Sequence, residues 1–243
     1  MTQHIYQTLA GIVTNDHRAA TVLEKHQLDY CCKGKRTLAE ACNEKGLSVA
    51  EIAGELDSLN DGQRCISIPF SKWSAEQLIQ HIVSRHHAYV KQIMPQLFIH
   101  LEKVAFKHGD RYPEMIEVFT LFSQIREEMT AHMEKEEMVL FPAIMKAEAA
   151  TANNYPLPGE VRIISEATRM MEHEHDDAGT GMMRIRELTN NYNACDGVCT
   201  TFRVSIAELK EFEEDLHQHV HLENNILFPM ANSLLNNSDR FLS

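Results

Sequence analysis

The stretch His219-Val-His-Leu-Glu223-Asn-Asn-Ile-Leu227-Phe-Pro229 decides how this chain is read, because it has a near copy upstream, His132-Met-Glu-Lys-Glu136-Glu-Met-Val-Leu140-Phe-Pro142. Both follow H-x-x-x-E-x-x-x-L-F-P. Residues four apart on an α-helix stand on one face, so each copy aims an imidazole and a carboxylate the same way. Two such pairs are half of a metal cage.

The other half sits at matching offsets. His86-His87 precede the first copy, and His173 and His175 precede the second. From His87 to His132 is 45 residues and from His175 to His219 is 44. A His helix followed by a His-x-x-x-Glu helix therefore occurs twice, which predicts an all-α four-helix bundle of two related hairpins with a metal site in its core.

Periodicity chooses among the fourteen histidines, because a core ligand must lie on the inward stripe. In the fourth bundle helix that stripe is Leu209, Phe212, Leu216, His219, Glu223, Ile226 and Met230, which leaves out His217 and His221. The second gives Val118, Phe122, Ile125, Met129, His132, Glu136, Val139 and Ala143, with Glu137 off the stripe. The third gives Ile164, Thr168, Met171, His175, Ala178, Met182 and Ile185. In the first helix the stripe Val83, His87, Val90, Met94 fits, and Ile79, Val83, His86, Val90 fits nearly as well. The alternative to a metal site is a pair of solvated helix faces, or two buried Glu–His pairs. Two copies in register, each backed by a further His, argue against it, since a buried unpaired carboxylate is costly. Four imidazoles and two bridging carboxylates exceed a tetrahedral zinc site and suit a pair of iron ions, with manganese second.

Composition sets the frame. At 44% hydrophobic and 24% charged the chain is globular, and a net charge of −12 without a basic block argues against nucleic acid or an anionic membrane as partner. No apolar run suits a membrane span. Six cysteines without a secretory pattern point to a reducing cytoplasm.

Residues 1–66 read as a small helical domain: a helix opening at Thr14-Asn15-Asp16 and stopping near His26, then Asp29-Tyr30-Cys31-Cys32-Lys33-Gly34, then helices over 36–45 and 48–60. Cys65-Ile-Ser-Ile-Pro69 reads as a linker. The bundle occupies 74–237, with helices over 74–107, 112–148, 160–192 and 199–237; Ser74-Ala-Glu-Gln77 has capping-box form, and Asn153–Gly159 forms the crossover. Adjacent cysteines point apart, so Cys31 and Cys32 are poorly placed to share a metal, and a disulfide between them would close a strained ring. They read either as redox or iron-transfer thiols or as ordinary turn residues. Cys195 and Cys199 read as incidental, and Cys42 and Cys65 as small buried side chains.

The two H-x-x-x-E-x-x-x-L-F-P motifs, with Met171-Glu-His-Glu-His175-Asp-Asp-Ala-Gly179, resemble the hemerythrin-like domain. Together with Asp29-Tyr30-Cys31-Cys32 they resemble the iron–sulfur cluster repair di-iron proteins, the repair of iron centres family, over nearly the whole chain. The resemblance implies di-iron ligands at His87, His132, Glu136, His175, His219 and Glu223, both carboxylates bridging, with an oxo or hydroxo bridge. It thereby selects His87 in the first helix. His86, His173 and Glu174 stand beside these as candidates for outer contacts. It further implies a bacterial cytoplasmic homodimer that restores clusters damaged by nitric oxide or peroxide, by iron donation or NO removal. Oxygen-carrying hemerythrins have one more His, which argues against reversible oxygen transport. The competing readings are an O2 or NO sensor and an NO reductase.

Overall fold

The computed structural model describes residues 4–59, 70–153, 155 and 160–238. The regular elements among those residues are all helices, with one isolated bridge between Thr8 and Thr37 and no strand among them. Four short helices come first: α1 (Leu9–Asn15), α2 (Ala19–Lys25), α3 (Leu38–Lys45) and α4 (Val49–Ser58). Four long rods follow. The first, α5, runs through Ala75–His81, a π-helical turn Ile82–His87 and Ala88–His108; α6 runs through Glu114–Lys135, a π-turn Glu136–Leu140 and Phe141–Ala152. Then come α7 (Glu160–Leu188) and α8, which runs through Thr200–Leu222, a π-turn Glu223–Leu227 and Phe228–Ser238.

The expected opening of a helix at Thr14-Asn15-Asp16 is corrected. Those residues end α1, which the sequence reading missed, and the Asp16 carboxylate accepts from the Arg18 N–H in the turn before α2. Thr8 caps α1 by accepting from the Gly11 N–H. The third rod stops at Leu188 rather than 192, because Asn190, Asn191 and Tyr192 take positive φ of 48°, 56° and 59°. The linker Cys65–Pro69, and most of the crossover between Asn153 and Gly159, lie outside the described residues.

The motif Leu-Phe-Pro explains the π-turns in α6 and α8. Proline has no N–H to give to the carbonyl four residues back, and its ring crowds that carbonyl. The helix responds by widening one turn earlier: the Phe141 N–H reaches the Glu136 carbonyl, and the Phe228 N–H reaches the Glu223 carbonyl, five residues back. The extra residue shifts the inward face. Val139, placed on the stripe by simple periodicity, is half exposed, and Leu140 and Phe141 are buried in its place.

Two apolar clusters hold the bundle. One joins Leu9, Leu23, Leu38 and Ile52 of the leading helices to Val90, Phe122, Met182 and Phe212 of the rods. The other, at the far end, contains Leu78, Ile82, Leu140, Phe141, Ile144, Leu227 and Phe228. Between them lies a band of buried polar side chains.

Candidate metal centre

That band comprises His87, His132, Glu136, His175, His219 and Glu223, each no more than 1% exposed. All six predicted bundle residues are thus brought together. Their donor atoms fall into two sets of four, His87–Glu136–His219–Glu223 and His132–Glu136–His175–Glu223, each within 4.8 Å. Both carboxylates belong to both sets. Glu223 Oε1 stands 3.0 Å from His219 Nε2, and its Oε2 stands 3.1 Å from His175 Nε2. Glu136 Oε2 is 3.4 Å from Nε2 of both His87 and His132.

Outer contacts fix the tautomer of three of the four rings. His87 Nδ1 faces Glu137 Oε1 at 2.7 Å, His132 Nδ1 faces Glu174 Oε2 at 2.9 Å, and His175 Nδ1 faces Asn224 Oδ1 at 2.9 Å. Since these oxygens accept, each Nδ1 carries the proton and donates, leaving the Nε2 lone pair directed inward. Lys91 and Lys135 in turn hold Glu137 and Glu174, and despite partial burial both carboxyls lie below the usual carboxylate range.

This arrangement fits a cation and is poorly satisfied without one. The Nε2 atoms of His132 and His175 approach to 3.0 Å with both protons committed elsewhere. Both oxygens of Glu136 and Oε2 of Glu223 are buried with no hydrogen-bond donor. The approach of His175 to Glu223 Oε2 is therefore a lone pair against an anion, not a hydrogen bond. Unpaired buried carboxylates cost several kcal/mol each. Without metal the charge is met by protons: burial opposes it, but the Glu136 carboxylate lifts His132 to about 9. Glu223 is held well below the usual range against strong burial, chiefly by His219.

The phenylalanines of the two motifs roof the site. Phe141 stacks on His87 at 5.7 Å and Phe228 on His175 at 6.1 Å. The LFP signature thus supplies a core leucine, an imidazole-packing ring and a π-turn.

His86 is buried, stacked on His219 at 5.8 Å and 10°, with Nδ1 2.9 Å from Asp215 Oδ1. The π-turn in α5 buries both members of the pair, which is why periodicity could not separate them. His173 is exposed and stands 3.7 Å from Asp177 on its own helix, facing away from the buried band. Glu137 and Asn224 were missed by the sequence reading. Their signal was position, each directly following a shared Glu.

Cys31 and Cys32 stand apart from this centre, in the turn after α2. The expectation that they point apart is corrected: their sulfurs are 3.8 Å from each other, and Asp29, Cys31 and Cys32 offer donor atoms within 4.8 Å. The cause is Asp29, whose Oδ1 accepts from the N–H of Cys31, Cys32 and Lys33 and tightens the turn. Contact with the Cys32 thiol, then burial, pushes the Cys31 thiol well up. Cys32 is half-buried against Gly179 of α7 and lines a cavity of roughly 660 Å³ with Lys33, Lys45, Asp176 and Arg186. Cys42 is buried as expected and Cys65 lies outside the described residues; Cys195 and Cys199 are exposed.

Two family matches divide the chain. Residues 5–60 match the Domain of Unknown function (DUF542), and residues 78–231 match the Hemerythrin HHE cation binding domain. The proteins named iron-sulfur cluster repair protein YtfE from Yersinia pseudotuberculosis and Yersinia pestis are 34% identical over 225 residues, covering 93% of this chain and 96% of theirs. The chain belongs to this iron–sulfur cluster repair family. Membership accords with a cation-binding hemerythrin-like bundle behind a small helical leader. Among the described residues no helix is long and apolar enough to cross a membrane.

Proposed function

We propose that this chain is a cytoplasmic di-iron protein that repairs iron–sulfur clusters damaged by nitric oxide or peroxide. The observation that carries it is the sharing of Glu136 and Glu223 between two four-donor sets in a buried band. Four imidazole nitrogens and four carboxylate oxygens leave about four of twelve octahedral positions for an oxo or hydroxo bridge, water or NO. A bound iron pair would supply exchangeable ferrous iron and a place for NO or O2 to be held.

The chain's own residues do the rest. His87, His132, His175 and His219, with Glu136 and Glu223, hold the pair. Glu137, Glu174 and Asn224 keep three imidazoles in the ligating tautomer. Phe141 and Phe228 exclude water. Cys31 and Cys32, beside the α7 segment that carries His175, are proposed as redox or iron-transfer thiols. Damaged iron–sulfur proteins are the proposed partners, in the YtfE manner, and the working form is proposed to be a homodimer.

The test is restoration of a peroxide- or NO-damaged iron–sulfur protein by the iron-loaded chain. Recovery with the natural chain and its loss in Glu223→Ala are expected; equal recovery with both would overturn the proposal. A gas-sensor reading gains support from the hydrogen bonds that tie α8 to the cysteine turn. Replacing Cys31 and Cys32 by Ala separates the two: loss of cluster restoration with intact gas binding supports repair, whereas unchanged restoration removes the thiols from the mechanism.

A further inference from the structure

The two hairpins relate His87 to His175, His132 to His219, Glu136 to Glu223, and Glu137 to Asn224. The outer contacts obey the same relation: the residue after each shared Glu bonds the imidazole of the partner helix, Glu137 to His87 and Asn224 to His175. The residue before His175, Glu174, bonds His132. Its counterpart, the residue before His87, should bond His219. That residue is His86, and the relation breaks there. His86 lies flat on the His219 ring and turns its own Nδ1 to Asp215. His219 Nδ1 is buried with no hydrogen-bond partner among the described residues.

From this we infer that the two metal positions are unequal, and that the His87–His219 position is the one that exchanges its ion. Both imidazoles of the His132–His175 position have their tautomer fixed by an acceptor, a carboxylate on one and an amide oxygen on the other. At the other position only His87 has such a partner. An unanchored imidazole is a weaker base and can rotate or take its proton on the ligating nitrogen, and loss of one outer contact typically weakens metal binding 10–100-fold. A cavity lies on the same side of the centre, separated from His219 by the stacked His86 ring. His86 lines this cavity of roughly 270 Å³ with His81, His221, Arg85, Thr14 and Gln218, and no carboxylate is among its lining residues. The imidazoles of His86 and His81, 5.7 Å apart between ring centres, face that cavity and could receive an ion leaving this position.

The inference rests on the reading of the site as a two-iron centre. Its test is chelation of the fully iron-loaded, full-length protein, followed by stopped-flow absorbance and by anomalous diffraction from crystals grown at the half-depleted point. Two release phases are expected, with the remaining iron held by His132 and His175. Glu174→Ala should speed the slow phase about tenfold or more, and His86→Glu, which restores the carboxylate that symmetry lacks, should slow the fast phase by as much. Iron remaining at His87 and His219, or two equal rates, would overturn the inference while leaving the two-iron reading intact. A chain that takes up one iron or none would overturn that reading instead. The diffraction result decides even where His86→Glu does not fold.

Discussion

The side-chain amide of Asn225 donates to the carbonyl of Cys31 at 2.9 Å. It also reaches the Tyr30 carbonyl and His221 Nδ1, each at 3.3 Å. Asn225 stands two residues after a carboxylate shared by both donor sets, and its neighbour Asn224 orients His175. The triplet Glu223-Asn224-Asn225 therefore links the metal centre to the thiol turn through one π-turn.

Removing that link should separate the two regions without emptying the centre. Asn225→Ala is expected to cost about 1–3 kcal/mol of stability, as for buried partners left unsatisfied. Iron content should stay at the natural level, while Cys32 reacts faster with a thiol reagent. Chemical denaturation and timed alkylation check this; an unchanged labelling rate would show that the contact does not order the turn.

Outer contacts should be felt as affinity. Glu137→Gln removes the charged acceptor from His87 Nδ1 and the partner of Lys91. Metal affinity is expected to fall about 10–100-fold with helicity retained. Competition against a chelator of known affinity measures it, with circular dichroism as control.

Metal uptake should rise with pH through the neutral range. In the metal-free protein His132 is lifted to about 9, so at neutral pH iron must displace its proton. Affinity is expected to climb between pH 7 and 9 and then level off. The sign for stability is opposite: a raised folded-state value contributes stability that is full below the unfolded value near 6.5 and is lost as pH rises through about 9. Metal-free protein should weaken over that window, and His132→Gln should remove the trend in thermal melts.

Acid should act through His221. Burial lowers it to about 4, while its ring accepts from Asn225 and faces Thr14 of α1. A depressed value gives stability that is full above the unfolded value near 6.5 and is lost as pH falls through about 4. The loss is on the order of 3 kcal/mol. His221→Gln should flatten the acid limb of a stability–pH profile.

Helical periodicity carried most of this fold, because His132, Glu136, His175, His219 and Glu223 all lie on stripes that step by three and four. It failed where the helix itself changes pitch. His86 fits nearly as well as His87 because the π-turn Ile82–His87 buries both, and Val139 is misplaced because the turn Glu136–Leu140 inserts one residue. The cause was legible in part: Pro142 and Pro229 announce the missing N–H donors. The closeness of the Cys31 and Cys32 sulfurs was not legible, since it depends on one aspartate accepting three consecutive N–H groups. Helix α1 is seven residues long and too short for periodicity to detect.

The most direct measurement is iron per chain, with Mössbauer spectra, for the natural protein and for Glu223→Ala beside His219→Ala. Because Glu223 belongs to both donor sets and His219 to one, the expected results are two coupled irons in the natural chain, a loss reaching both irons in Glu223→Ala, and one retained iron in His219→Ala. Two irons persisting in folded Glu223→Ala, or a natural chain that binds a single isolated ion, would contradict a centre built on shared carboxylates.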